Sequence, residues 1–457
     1  MDKRLLILKA FQLTLPRAAA GWLFALLTSN FNRIAIYDLG ITAVVITSLL
    51  GLYHFLSPFQ VIYGRIADRI PIFGLHRTPY VMIGMTVSAI AVATLPYIVV
   101  PMSQTPNEFL GVTFPYITYI AAFIVLVIFG VGFAGAGANH LALVAEVIPE
   151  RSRGLVTALI WTMLIVGMIV SLQFIRHYMP VYDEQTMREL YLLSIPVVAI
   201  TTLLGLIGVD KPRTAESTAA SDSKLDAEAH ASLKDFAVDV ASNSTVRNFF
   251  AFIFLFMFGY SLQDNILEVF GAEVLQMTVG ETGRFQQIWG TGAIIGMFLM
   301  GSLVFRGGIS KINAITFGIT GIGFSMFALA IGAYLPSETL VNYSLVSMGF
   351  FNGFALVGTL TSMMEFTTDK ARGAYIGLWG LAIAFANGLA SMAGGQLVTS
   401  LIESGMFSPS DGFAIIFFVE GLISLYSLHF LWRVNVESFH KRISKDGLSN
   451  AMASDLG

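Results

Sequence analysis

The chain has 457 residues, of which 55% are hydrophobic and 12% are charged. Soluble globular proteins carry roughly 25% charged residues, so these proportions argue against a water-soluble domain and predict a membrane protein. The net charge is −3 and no basic run lies outside the membrane-flanking loops, which argues against nucleic-acid binding. The absence of cysteine excludes disulfides, thiol catalysis and Cys-ligated metals.

The first residues place basic side chains around a short apolar run. Lys3, Arg4 and Lys9 interrupt this run too often for the apolar core of a secretory signal. We therefore expect a short amphipathic helix at the membrane interface that leads into the first span.

Twelve apolar segments follow, each long enough to cross about 30 Å of hydrocarbon at about 1.5 Å per residue. The predicted spans are 17–38, 41–65, 78–98, 115–145, 154–177, 188–209, 247–271, 285–306, 312–335, 341–364, 373–402 and 412–433. The sequence therefore predicts an all-α membrane protein with twelve transmembrane helices.

Basic residues fall almost entirely on one side of these spans. If the termini and the even-numbered connections share a side, that side holds all of the 26 Lys and Arg residues except Arg33, Arg176, Arg188 and Arg284. The positive-inside rule then places both termini in the cytoplasm.

The longest polar stretch divides the chain near its middle. It contains Pro212 and a run rich in Ala, Ser, Asp and Lys, which predicts a flexible linker whose later part has the composition of a surface helix. We therefore divide the chain into a six-helix bundle at 1–209, a cytoplasmic linker at 210–246, a second six-helix bundle at 247–434 and a cytoplasmic tail at 435–457.

The two halves carry a similar motif after their fourth span. EVIPERSRG at 146–154 matches EFTTDKARG at 365–373, at equivalent places in the hydropathy pattern, which indicates a duplicated fold. Ion pairs between helices at these motifs would stabilise one conformation of the protein. The alternative is that the charges belong to loops and are solvated. The residues alone do not distinguish these two interpretations. The candidate gate residues are Glu146, Arg153, Glu365 and Arg372.

The connection between spans 2 and 3 reads GRIADRIPIFGLHRTP at 64–79. It resembles the G-x-x-x-D-R-x-G-R-R loop of the major facilitator superfamily, with extra residues between the two basic groups. On this resemblance Gly64 lets two helices approach closely, and Asp68 pairs with an Arg or a helix N-terminus of the other half to close the cytoplasmic side. Arg69 and Arg77 complete this candidate gate. The alternative is that all of them only set topology.

Polar residues also lie toward the outer ends of spans 1 and 7, which are equivalents in a duplicated fold. Asn30 and Arg33 share one helical face, and Asp264 and Glu268 share another. A charge within a membrane is costly and is a functional candidate by default. Arg33 paired with Asp264 or Glu268 would form an outer gate or contact a polar substrate. Alternatively, these ends emerge into water.

Two histidines lie inside predicted spans. His54 is in span 2, and Asn139 and His140 are in span 4. A neutral imidazole is a good axial ligand for the magnesium of a chlorin and also a proton carrier. The alternative is a membrane histidine bonded to a neighbouring helix, which the residues alone favour.

The segment Phe249 to Phe258 is nearly a continuous aromatic wall. It could hold a large flat apolar ligand, but we expect it mainly to face lipid. The sequence has no P-loop, HExxH or Gly-x-Ser-x-Gly motif. We therefore predict neither enzymatic activity nor ATP-driven transport, and no catalytic or metal site.

The first 80 residues carry a more specific resemblance. Phe31-Asn-Arg33 in span 1, Ser57-Pro-Phe59 in span 2 and the loop from Gly64 to Tyr80 resemble the PucC/LhaA family. That family is the bacteriochlorophyll-delivery branch of the major facilitator superfamily in phototrophs. Its loop often has a second basic residue beside Arg77, where this chain has His76.

The resemblance implies a photosynthetic assembly factor that delivers chlorophyll, bacteriochlorophyll or a precursor to light-harvesting or photosystem polypeptides. The pigment would be cargo, and the protein would lie in a thylakoid, intracytoplasmic or plasma membrane. Two alternatives remain open. One is a proton-coupled secondary transporter of a small solute that uses Arg33, Asp264, Glu268 and Glu146, and the other is a pigment-free membrane chaperone.

Overall fold

The structure is a computed structural model that describes residues 3–104, 108–109, 112–113, 116–210, 244–306, 308–365 and 372–434. The predicted surface helix of the linker and the C-terminal tail lie outside these residues. The described part is almost entirely helical, with one two-stranded antiparallel ribbon of β1 (Glu108–Phe109) and β2 (Val112–Thr113).

The described residues of the first half form eight α-helices. They are α1 (Lys3–Gln12), α2 (Leu15–Phe24), α3 (Ala43–Leu56), α4 (Gln60–Arg69), α5 (Thr78–Ser103), α6 (Ile117–Val147), α7 (Glu150–Tyr178) and α8 (Glu184–Leu206). Two π-helical segments, Ala25–Phe31 and Ile34–Asp38, continue α2 to the end of the first span. A 3₁₀ turn at Ser57–Phe59 joins α3 to α4.

The described residues of the second half also form eight α-helices. They are α9 (Ser244–Ser261), α10 (Leu267–Glu273), α11 (Val279–Thr282), α12 (Arg284–Phe305), α13 (Lys311–Tyr334), α14 (Glu338–Glu365), α15 (Arg372–Val398) and α16 (Pro409–Leu431). A π-helical segment, Thr399–Glu403, continues α15.

Among the described residues, nine helical stretches are long and apolar enough to cross a membrane. A tenth results if the bent pair Ala43–Phe59 and Ile62–Arg69 forms one span, and Arg247–Ser261 is a shorter apolar helix. Each of the twelve segments predicted from the sequence overlaps one of these helices or α12. The chain is therefore a multi-pass membrane protein, and the count of twelve crossings stays a prediction.

Helix packing repeats from one half to the other. In the first half α2 packs on α7, α5 packs on α6 and α8, and α3 packs on α6. In the second half α9 packs on α15, α13 packs on α14 and α16, and α12 packs on α14. Because each pair occupies the same place in its half, the packing agrees with the duplication indicated by the sequence motifs. Across the halves, α3 meets α15 and α7 meets α12.

Glycines let these helices touch backbone to backbone. A Cβ added at Gly21 would lie 2.0 Å from the carbonyl oxygen of Leu164, and one at Gly349 would lie 2.0 Å from that of Trp289. Such contacts replace the hydrophobic effect as the source of helix association inside a bilayer. Gly64 is different, because an added Cβ would meet no atom of the described residues within 4 Å. The expectation that Gly64 permits a close helix approach therefore stays a prediction.

The seventh predicted span is broken. Helix α9 ends at Ser261, residues 262–266 form turns, and α10 begins at Leu267. Upstream of the break, Phe249, Phe252 and Phe256 are buried. The expectation that this aromatic run mainly faces lipid is therefore wrong for these three rings, because α9 packs between α15 and α16.

Candidate functional site

A cavity of about 480 Å³ lies between the two halves. The first half contributes residues of α2, α3 and α7, and the second half contributes α9, α12, α14 and α15 together with the turns at 262–266. Its lining is mostly apolar and aromatic. The aromatic residues that line it are Phe24, Tyr53, Trp161, Phe256, Tyr260 and Trp289.

Of the two histidines predicted to bind pigment, His54 lines this cavity. Its ring stacks on Tyr53 with 3.9 Å between ring centroids. Within the part of the chain that the structure describes, the His54 imidazole makes no hydrogen bond, and only its carbonyl is engaged, by the Ser57 hydroxyl at 2.8 Å. A ring nitrogen of His54 is therefore available to a ligand in the cavity.

His140 does not fit the same prediction. Its Nδ1 accepts a hydrogen bond from Nε of Arg17 at 3.3 Å, and its Nε2 lies 2.7 Å from the carbonyl oxygen of Leu13. Both ring nitrogens are thus committed to the N-terminal end of the first span, with the proton on Nε2. His140 has no lone pair to offer a metal, so the prediction that it binds pigment is corrected to a structural role.

Asn139 belongs to a charged network at the predicted cytoplasmic face rather than to the cavity. Arg77 donates to Oδ1 of Asp68 at 2.6 Å, to Oε1 of Glu146 at 3.0 Å and to Oδ1 of Asn139 at 3.1 Å. The Arg77 side chain is only 7% exposed. We call these four residues the Arg77 network.

The network lies at the start of α5. The carboxylate of Asp210 accepts the backbone N–H groups of Arg77 and Thr78 at 3.1 and 3.0 Å, and so satisfies two donors that a helix N-terminus leaves open. The first residue of the predicted linker is thereby tied to the loop between the second and third spans.

These contacts give Asp68 a partner within its own half. Arg77, which the short Ile72–Leu75 turn brings back to the end of α4, donates to its carboxylate. The pairing of Asp68 with the other half stays a prediction. Arg69 is exposed. The side chains of Arg153, Glu365 and Arg372, which the repeated motifs propose as gate residues, lie outside the described part of the structure.

Asn30 and Arg33, the predicted polar residues of the first span, are not among the residues that line the cavity. Arg33 is ion-paired with Asp38 and donates to the carbonyl oxygen of Met277 at 3.0 Å. The predicted pairing of Arg33 with Asp264 or Glu268 is therefore wrong, because a closer acid on its own helix takes the guanidinium. Asn30 accepts a hydrogen bond from the hydroxyl of Tyr191 at 3.0 Å, which ties the first span to α8.

Hydrogen bonds join the two halves at the predicted outer face. Glu403 accepts the backbone N–H of Ala43 at 2.8 Å, and the hydroxyl of Ser391 donates to the carbonyl of Thr47 at 2.6 Å. The backbone N–H of Gly280 donates to Pro180 at 3.0 Å. These hydrogen bonds therefore hold the two halves together on the predicted outer side of the cavity.

A small capping box stabilises the loop at this face. The backbone N–H and the hydroxyl of Thr278 donate to Glu281 at 2.9 and 3.0 Å, at the start of α11. These hydrogen bonds favour the charged carboxylate and lower the pKa of Glu281.

Acidic side chains enter the interior of the second half without a basic partner among the residues that the structure describes. Asp264 lines the cavity at the break between α9 and α10. Glu268 is fully buried, and Gln286 donates to its Oε1 at 3.2 Å while Oε2 has no partner among the described residues. Glu420 on α16 is also fully buried, and neither of its carboxyl oxygens has a described partner.

Glu420 is absent from the candidates taken from the sequence. Its signal is an isolated acid in the middle of an otherwise apolar predicted span, which is a functional candidate by default.

The profile of the PUCC protein family matches residues 30–439 of this chain. The chain belongs to the PUCC family. Among curated relatives, the "Bacteriochlorophyll synthase 44.5 kDa chain" of Rhodobacter capsulatus is 26% identical over 91% of this chain and 92% of the relative. "Protein PucC" of Cereibacter sphaeroides is 24% identical over 90% of this chain and 88% of the relative.

Solved structures similar to this PUCC protein are transporters of the major facilitator superfamily. A D-xylose–proton symporter has a TM-score of 0.68 at 16% identity and covers 94% of this chain and 98% of its own. A bacterial homologue of the human lysosomal transporter Spinster, inward-facing and unoccupied, also has a TM-score of 0.68, at 14% identity over 96% of this chain and 99% of its own. At these identities the likeness establishes the fold alone, which is the one predicted from the loop motif.

Proposed function

We propose that this PUCC protein is an assembly factor that binds chlorophyll, bacteriochlorophyll or a precursor and delivers it to light-harvesting or photosystem polypeptides. The observation that carries the proposal is the aromatic cavity between the halves, with an uncommitted imidazole in its wall. The name of one relative refers to bacteriochlorophyll, and this name supports a pigment of the same class as the cargo. The proposed role is binding and transfer, without catalysis.

The residues of the cavity suit a flat apolar ligand. A volume of about 480 Å³ lies within the range of roughly 300–1,000 Å³ typical of ligand pockets. Aromatic rings on both halves offer faces against which a macrocycle can pack. His54 supplies a neutral nitrogen for the central magnesium, and its stacking on Tyr53 limits its rotation.

The test is pigment retention by the full-length protein purified in mild detergent from a phototrophic host. Loss of the axial ligand in His54→Ala should lower the pigment-to-protein ratio about tenfold, which corresponds to about 1.4 kcal/mol. His429→Ala is the matched control, because His429 is an exposed histidine of α16 that stacks on Tyr426. Equal pigment in His54→Ala and in the control would contradict the proposed ligand.

His140→Ala gives a second comparison. Since both nitrogens of that ring are bonded within the protein, we expect a lower yield of folded protein but an unchanged ratio of pigment to folded protein. A selective loss of pigment would return His140 to the site.

A second candidate function is secondary transport of a small solute with proton coupling. It is favoured by Asp264, which brings a carboxylate into the wall of the cavity, and by the transporter fold. A transported polar solute should bind to the colourless protein and should compete with pigment if both use this cavity.

A further inference from the structure

The break in the seventh span lies where the cavity and the polar interior of the second half meet. Residues 262–266 leave the helix, so their backbone groups are not all paired along one segment. In a bilayer such a break is tolerated only where it is buried in protein or lines a cavity, and broken helices in transporters commonly mark ion or substrate sites. Asp264 is in the middle of this break and lines the cavity.

Glu420 approaches the same region from α16. It is 0% exposed, and both carboxyl oxygens lack a hydrogen-bond partner among the described residues. Helix α9, which ends just before Asp264, packs on α16. A Cβ added at Gly259 of α9 would lie 3.1 Å from the backbone nitrogen of Ser424, one turn beyond Glu420. At this contact Asp264 and Glu420 are close enough to interact electrostatically.

No Lys or Arg side chain lines the cavity beside Asp264 in the described part of the chain. The titratable groups that line it with Asp264 are Tyr53 and His54 from α3 and Tyr260 from α9. Glu268 lies on α10, which packs against α16. On α13 the titratable residues stand at its two ends, and the described side chains of α15 include none. The neighbours of Glu420 along α16 are apolar rings and small residues.

Two carboxylates cannot both stay ionised in such a place. An isolated buried charge costs many kcal/mol, and a second negative charge nearby raises this cost further. A carboxyl group escapes the cost by taking up a proton, and the cavity gives Asp264 a path for exchange with water.

We propose that Asp264 and Glu420 form a proton-binding site in the second half, in which the pair holds at least one proton and exchanges it with water through the central cavity. The proton comes from bulk water and returns to it, so no other reactant is needed. Glu420 keeps the proton in the interior, and Asp264 connects it to the cavity wall.

The site would link protonation to cargo. A neutral Asp264 leaves the cavity wall apolar, whereas an ionised one opposes the entry of an apolar macrocycle. By linkage, a cargo that prefers the neutral wall promotes proton uptake. This consequence, unlike the proton site itself, rests on the proposed function.

The proton site can be tested without any cargo. Infrared spectra of the full-length protein in lipid nanodiscs, recorded against pH, report the carbonyl band of protonated carboxyl groups. We expect such a band at neutral pH, and we expect Glu420→Gln and Asp264→Asn each to remove the intensity of about one carboxyl group or to change its titration. Glu338→Gln is the matched control, because Glu338 is an exposed acid at the start of α14.

The outcomes separate this proposal from the pigment proposal. Spectra of both interior variants that match the control would overturn the proton site, whether or not the protein binds pigment. A band that responds to sodium at constant pH, and not to pH, would also overturn it in favour of a metal cation. If pigment binds, its affinity should fall about tenfold per pH unit above the titration midpoint, and Asp264→Asn should flatten that slope.

Discussion

The Arg77 network and the Asp264–Glu420 pair both place ionisable groups in buried positions. They differ in whether these groups have bonded partners. Arg77 is 6% exposed and is bound by two carboxylates and an amide. Glu420 is 0% exposed and has no partner on either oxygen among the described residues. A buried charge with bonded partners stabilises one arrangement of helices. A buried acid without bonded partners must instead take up a proton. The partners, and not the depth of burial, separate a structural charge from a functional one.

The largest effect should follow from removing the centre of the Arg77 network. Arg77→Ala leaves the side chains of Asp68 and Glu146 without this cation in a mostly buried place, which should cost about 3 kcal/mol of stability. The apparent midpoint of thermal unfolding in detergent measures the loss. Arg69→Ala, at an exposed arginine eight positions away, should change stability by no more than about 0.5 kcal/mol. Similar midpoints for both variants would contradict the structural role of the network.

A smaller effect is expected when one acid of the network is neutralised. In Asp68→Asn, Arg77 keeps its bonds to Glu146 and Asn139, so we expect a loss of about 1–2 kcal/mol. The variant should still enter the membrane, but it should assemble less light-harvesting complex in a phototrophic host, as measured by membrane absorption at equal protein level. Normal assembly would mean that the charged residues of this loop only set the membrane topology.

Neutralising the other region should have little effect on stability. Glu420→Gln replaces a carboxyl group that already holds a proton in our account with an amide of the same shape, so the change should stay below about 1 kcal/mol at neutral pH. The same thermal midpoint serves as the measurement. A loss as large as that of Arg77→Ala would mean that Glu420 is an ionised partner of a cation.

A similarly small effect concerns the capping box at the outer loop. Glu281→Ala should cost about 0.5–1 kcal/mol, because α11 loses its box. Since the pKa of Glu281 is lowered in the folded protein, its contribution is present at neutral pH and is lost as the pH falls through the folded pKa. The difference in stability between wild type and Glu281→Ala should therefore shrink in acid. A difference that is constant with pH would contradict the role of the charged carboxylate.

Much of the fold could be predicted from the sequence because bilayer thickness and backbone pairing leave few choices to an apolar chain. The hydropathy pattern located the long apolar helices of the described residues, and the repeated motifs indicated the duplication that the packing also has. The break at 262–266 was not predicted, because the apolar pattern runs on through it.

The candidate site was predicted only in part. His54 and Asp264 line the cavity as expected of ligand residues. His140 and Arg33 do not. The partners of His140, Arg17 and Leu13, are far away in the sequence, whereas Arg33 pairs with Asp38, which is nearer than the acids of the other half. Glu420 was missed although an acid in the middle of an apolar span is a readable signal.

The most direct test of the account is the absorption spectrum of the wild-type protein, purified in mild detergent from its phototrophic host, with pigment extraction and a gel of co-purifying polypeptides. We expect about one chlorin per protein together with small helical polypeptides. A colourless preparation without partners would contradict pigment delivery, and the cavity around Asp264 would then be assigned to a small transported solute.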